Sequence, residues 1–77
     1  MIKKGHVSFA EDGAIVEFTG SAYAYMKVCD CDGHGGVVNL QTGEYIPIAK
    51  LRERFGLDPN DCYIIAENLD KFYALFE

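Results

Sequence analysis

Glycine and acidic residues interrupt the first two thirds of this sequence every few positions, at Glu11-Asp12-Gly13, Thr19-Gly20-Ser21, Asp30 to Gly36 and Gln41-Thr42-Gly43-Glu44. Glycine reaches positive φ at no steric cost, and Asp, Asn, Ser and Thr close turns through their own side chains, so each interruption ends the element before it. Between the interruptions lie short runs with apolar residues at every second position. No long helix fits such a pattern, whereas antiparallel strands joined by tight turns do.

The runs can be assigned faces. His6-Val7-Ser8-Phe9 alternates, with Val7 and Phe9 on one side. Ala14 to Phe18 puts Ala14, Val16 and Phe18 on one face and Ile15 and Glu17 on the other. Ala22 to Val28 is the longest alternation, setting Ala22, Ala24, Met26 and Val28 against Tyr23, Tyr25 and Lys27. The Ala/Met/Val set suits a tight core, with Met26 and Val28 facing Ile64 or Ile65. The Tyr/Tyr/Lys set then takes the surface or a shallow groove. The reverse, with the tyrosines buried and Lys27 running its stem out to water, stays open. Val37-Val38-Asn39-Leu40 and Tyr45-Ile46-Pro47-Ile48 flank the Gln41–Glu44 turn as a hairpin. Pro47 has no N–H for a ladder, so its strand lies at an edge or is ending.

After residue 48 the period changes. Ile48, Leu51 and Phe55 fall three and four apart on one face of a short helix, with Gly56 at its C-terminal stop and Asp58-Pro59-Asn60-Asp61 as the following turn. Cys62-Tyr63-Ile64-Ile65-Ala66 is continuously apolar and reads as an interior strand. Asn68 can cap a last helix with the stripe Leu69, Phe72, Tyr73 and Phe76. Phe72, Ala74 and Phe76 also alternate, so residues 68–77 read as helix or strand. The expected fold is a single mainly β (α+β) domain over residues 1–77. It is a small curled antiparallel sheet or SH3-like barrel of five to six strands with one or two short helices. A chain this short buries roughly 60% of its unfolded surface, so its core is thin.

Hydrophobic residues make up 49% of the chain and charged residues 25%, which suits a globular domain. No apolar run approaches the roughly 20 residues that span a bilayer. Lys3 and Lys4 give the start a positive charge, but His6, Ser8, Glu11 and Asp12 break the apolar stretch a signal peptide needs, so the chain reads as cytoplasmic. Three cysteines, Cys29, Cys31 and Cys62, are an odd number and argue for thiols rather than a disulfide framework. Seven Lys+Arg against twelve Asp+Glu give a net charge of −5, which opposes direct nucleic-acid binding and favours a protein partner.

Cys29-Asp30-Cys31-Asp32-Gly33-His34 is the most pointed constellation. Cys29, Cys31 and His34 could hold three corners of a zinc tetrahedron with Cys62 as the fourth. Cys-x-Cys spacing is tight for structural zinc, and the two acidic neighbours oppose thiolate formation, so a solvated loop with no metal or other cofactor is the expectation. Asp30-x-Asp32-Gly33 echoes a calcium loop, but Gln41 stands at the twelfth position where a bidentate Glu belongs. No Ser/His/Asp or Cys/His arrangement has a supporting context, so no enzymatic activity is expected. Tyr23, Tyr25 and Tyr45, with Lys27, are candidates for an aromatic platform on one sheet face, and Phe72, Tyr73 and Phe76 for an apolar protein-binding stripe.

From Gly13 to Ile48 a Gly-led strand is followed by Tyr25 and Lys27, a polar loop, and then Val37-Val38-Asn39-Leu40 with Thr42-Gly43-Glu44. This half of the chain resembles small, mostly uncharacterised bacteriophage proteins with a Tyr-x-Lys strand and a Val-Asn-Leu-x-Thr-Gly-Glu hairpin. The resemblance implies a small β-barrel of phage origin, placed in the host cytoplasm, with no assigned chemistry. Together these readings predict a non-enzymatic protein-binding module that modulates or inhibits a host protein, for instance a nucleic-acid-binding one met through its acidic surface. The alternative is a structural domain that forms a homo-oligomer through its exposed tyrosines and C-terminal apolar segment.

Overall fold

The computed structural model describes residues 3–29 and 32–76. Six strands form one antiparallel sheet: β1 Lys3–Gly5, β2 Ile15–Phe18, β3 Tyr25–Cys29, β4 Gly35–Asn39, β5 Tyr45–Pro47 and β6 Cys62–Ala66. Their order is β1-β6-β2-β3-β4-β5, so β2 to β5 form a meander and β6 returns to insert between β1 and β2. The order ends at β1 and β5, so this is the open sheet of the two expected forms and not a closed barrel. Among the described residues no helix is long and apolar enough to cross a membrane.

The β4–β5 hairpin shows how local chemistry builds the sheet. Asn39 turns its buried side chain back on the loop, where Oδ1 accepts from Gln41 N–H at 2.8 Å and Thr42 N–H at 3.1 Å. Gly43 takes φ 80°, a conformation glycine reaches without strain, and Thr42 Oγ1 accepts from Glu44 N–H at 3.2 Å. Asn39, Thr42 and Gly43 thus each have a turn-closing task. Asn39 N–H donates to Glu44 O, which makes 39/44 and 37/46 the hydrogen-bonded pairs of this ladder. Pro47, opposite Gly36, falls in the alternate position. Its ring nitrogen therefore points away from β4, the ladder loses nothing, and the sheet edge lacks a donor there.

Residues opposite one another share a face of the sheet. Tyr25 is opposite Val16 and Asn39, Val37 is opposite Lys27 and Ile46, and Cys62 is opposite Phe18. That face is covered by Val7, Ala10, Ala14, Leu51 and Leu57 and forms the core, with Ile48 and Ile64 packed at its margin. The expected orientation of β3 is therefore reversed. Tyr25 is 2% exposed and Lys27 6%, while Met26 and Val28 lie half-buried on the opposite face. The Tyr25 ring meets Phe18 edge-to-face, with centroids 5.5 Å apart at 72°. Lys27 fits because Gly35 has no side chain: a Cβ there would stand 3.3 Å from Lys27 Cε. Its Nζ donates to Asp12 Oδ1 at 3.2 Å, so the buried stem ends on a carboxylate.

Ile15 is wholly buried on the other face, opposite Met26 and Ala66. The pairing slips between Ile15 and Val16, which leaves Ile65 as the extra residue of a β-bulge in β6. His6 to Phe9 is not a strand. Val7–Phe9 is a single 3-10 turn in which Val7 is buried and Phe9 is 83% exposed, so the two do not share a face. His6 causes this: its Nδ1 accepts from Ser8 N–H at 3.1 Å and contacts Ser8 Oγ at 2.7 Å, capping the turn.

The second half follows its sequence closely. Ile48–Lys50 is a 3-10 turn leading into α1, Leu51–Phe55, which buries Leu51 and ends at Gly56 with φ 66°. Phe55 is 40% exposed, with the Arg54 guanidinium 5.3 Å from its ring centroid. Asp58 accepts from Asn60 N–H and from Arg52 Nη2, both at 2.9 Å. The Asn60 amide first, and the Arg52 guanidinium after it, hold this carboxyl below its ordinary value of 3.8. The segment from 68 is helical: α2 spans Leu69–Ala74, with Asn68 Oδ1 accepting from Lys71 N–H at 2.8 Å.

Candidate functional site

Three separate segments enclose a cleft of about 770 Å³. The Val7–Phe9 turn supplies one wall with Phe9, and Glu11 follows it at the rim. The floor is β6, through Ile64 and the bulged Ile65. The far wall is the end of α2, through Lys71 and Leu75. Local chemistry explains each wall. The His6 cap turns the chain so that Val7 enters the core and Phe9 points out. The Asn68 cap starts a helix too short to bury both its faces, so Tyr73, Leu75 and Phe76 remain exposed at 57%, 64% and 74%. With Phe9 at 83% they are the most exposed large apolar side chains among the described residues, and Phe9 and Leu75 line the cleft together; apolar surface left in water in this way marks interaction sites.

The electrostatics at the cleft are uneven. Lys71 Nζ lies 3.0 Å from Oε2 of Glu67, just before the helix, and is paired there. Glu11 forms no ion pair among the described residues. The rim thus carries an uncompensated carboxylate beside a cavity lined by apolar and polar groups together.

The sequence-predicted residues are only partly brought together. Phe72 is half-buried, with its ring 5.2 Å from Phe76 at 82°, and Tyr73 and Phe76 are exposed as expected. The tyrosine platform does not form. Tyr25 and Lys27 face the core, and Tyr23 sits exposed in the loop before β3. Tyr45 is on the reverse face, its ring laid over Gly36 so closely that a Cβ there would meet it at 2.5–2.7 Å.

Of the three described metal-ligand candidates, Cys29 and His34 lie near one another, since Cys29 pairs with Gly35, while Cys62 stands apart. Cys62 is 2% exposed in the core beside Phe18, and burial pushes its thiol from 9.0 up to about 11. Cys29 is exposed at the far end of β3, and His34 is exposed in the loop before β4. By register Cys62 is level with residue 23, six positions before Cys29. At about 3.4 Å per residue the two thiols are roughly 20 Å apart. Cys62 therefore cannot complete a tetrahedron with Cys29. Cys31, and Asp30 of the calcium-like triplet, lie outside the described residues. Among the described residues no three His, Cys, Asp or Glu side chains gather as a metal ion would need.

Phe9, Glu11 and the floor at Ile65 escape a sequence reading, because each gains its role only when β6 and α2 fold beside it. The one legible signal is the density of large residues near the C-terminal end. In comparison with known proteins, the chain matches no family model, no curated protein and no solved structure.

Proposed function

We propose that this chain is a small, non-enzymatic protein-binding module that docks its partner on the face carrying Phe9, Tyr73, Leu75 and Phe76. The carrying observation is that these four are the most exposed large apolar side chains among the described residues, and that two of them, Phe9 and Leu75, line one cleft. Buried aromatic and aliphatic anchors supply most of the energy of protein association, so such a patch is suited to docking. In the phage setting that the hairpin half resembles, the partner would be a host protein, modulated or inhibited by being bound. The net charge of −5 suits a basic partner such as a nucleic-acid-binding protein.

The test uses the chain and its Leu75→Asp variant as paired baits in host lysate, with circular dichroism to confirm that both fold. Leu75 is 64% exposed, so the substitution should leave stability within about 0.5 kcal/mol. A protein retained by the wild type and lost by the variant supports the reading, and identical retention by both refutes it. A second reading, self-association, is favoured by one observation: projecting apolar residues and a cavity lie on the same face, as a two-fold interface requires. Sedimentation of the purified chain separates the two.

A further inference from the structure

We infer that the cleft between Phe9 and Leu75 takes a short amphipathic helix of the partner, apolar on one side and carrying Lys or Arg beside it; this rests on the protein-binding reading above. Three observations select that occupant. First, an extended peptide has no strand edge to join along the Cys62–Ile64 part of the floor. From Cys62 to Ile64, β6 is already paired with β1 on one side and with β2 on the other. Recognition here is therefore by side chains entering a cavity rather than by added ladder hydrogen bonds, which is how a helix lies in a groove. Second, the cavity of about 770 Å³ has room for several side chains of an incoming element, being as large as pockets that hold whole small molecules, roughly 300–1,000 Å³. Its two walls present Phe9 and Leu75 to both flanks of an apolar helix face. Third, Glu11 stands at the rim without an ion pair among the described residues, while Lys71 is held by Glu67. A cation on the incoming helix meets an open carboxylate. A second copy of this chain, with its own charge of −5, brings net repulsion instead.

The probe is a synthetic 14-residue helix with Leu at positions spaced i, i+4 and i+7 and Lys at the flanking positions, read by fluorescence anisotropy against the folded chain at low salt. A matched peptide with Glu in place of every Lys is the comparison. The Lys peptide should bind, with about tenfold weaker affinity to Glu11→Gln, and more than tenfold weaker to Leu75→Asp. The Glu peptide should not bind measurably. Equal binding of both peptides, or Lys-peptide binding indifferent to Glu11→Gln or to Leu75→Asp, overturns the inference. So does a wild-type dimer that Leu75→Asp converts to monomer, since the cleft then holds a second copy. Failure of both peptides while a lysate protein is still captured in a Leu75-dependent way overturns the helix but leaves the protein-binding reading standing. Loss of that capture as well removes both.

Discussion

Replacing Tyr25 with alanine tests the orientation of the whole sheet. The side chain is 2% exposed and packs edge-to-face on Phe18, while its neighbour Met26 is half-buried on the opposite face. Emptying a buried aromatic site costs about 3–5 kcal/mol, and the lost ring pair lies within that range. The Tyr25 hydroxyl contributes little, since its contact with Ser21 Oγ is long at 3.5 Å. Tyr25→Phe should therefore cost under about 0.5 kcal/mol. Met26→Ala removes a partly solvated side chain and should cost about 1 kcal/mol. A 77-residue domain has roughly 4–12 kcal/mol in hand, so Tyr25→Ala brings this one close to unfolding. Urea titration followed by circular dichroism measures all three variants, with the slope required to stay constant. At roughly 4–8 °C per kcal/mol, the melting temperature of Tyr25→Ala should fall by at least about 12 °C. A larger loss for Met26→Ala than for Tyr25→Ala would falsify the assignment of faces and the core built on it.

Other perturbations probe separate features. Asp12→Ala leaves the Lys27 ammonium without its carboxylate and should destabilise by about 1–3 kcal/mol, whereas Lys27→Met removes charge and desolvation together and should be near neutral in the same urea titration. Asn39→Ala takes the acceptor from the Gln41 and Thr42 amides and should lower stability by about 1–2 kcal/mol in thermal melts; an unchanged melt would show that water replaces the side chain without loss. Cys62 ionises near 9.0 in the unfolded chain and only near 11 in the folded one, so its contribution is complete below pH 9 and lost as pH rises through 11. The loss is about 1.4 kcal/mol per pH unit across that window; it should be absent from Cys62→Ala and so appear in full in the difference between wild type and that variant.

The legible parts of this fold were those encoded within a few residues. The Asn39–Glu44 turn, the Gly56 stop and the Asn68 cap each depend on neighbours in sequence, and each stands where its residues point. The face of β3 was not legible, because alternation separates two sets without ranking them. The ranking came from Val16 and Asn39 across the ladders, from Asp12 reaching over, and from the space at Gly35. Strand β1 carries no apolar signal in Lys3-Lys4-Gly5 and exists only through its pairing with β6. The cleft lay beyond a sequence reading for the same reason, since its walls come from opposite ends of the chain. The C-terminal stripe was legible as surplus, being too apolar for the few turns available to bury it.

The place of β6 also sets an order of assembly. The meander from β2 to β5 joins neighbours in sequence and can pair as the chain leaves the ribosome. Lys3, by contrast, has no partner until Ile64 arrives, because β1 touches the sheet only through β6. Closing so long a loop costs more entropy than closing the hairpin turns, and non-local pairing of this kind slows folding. Until then the N-terminal strand and the edge of β2 lack their β6 partner, so the cleft between Phe9 and Leu75, whose floor is β6, does not yet exist.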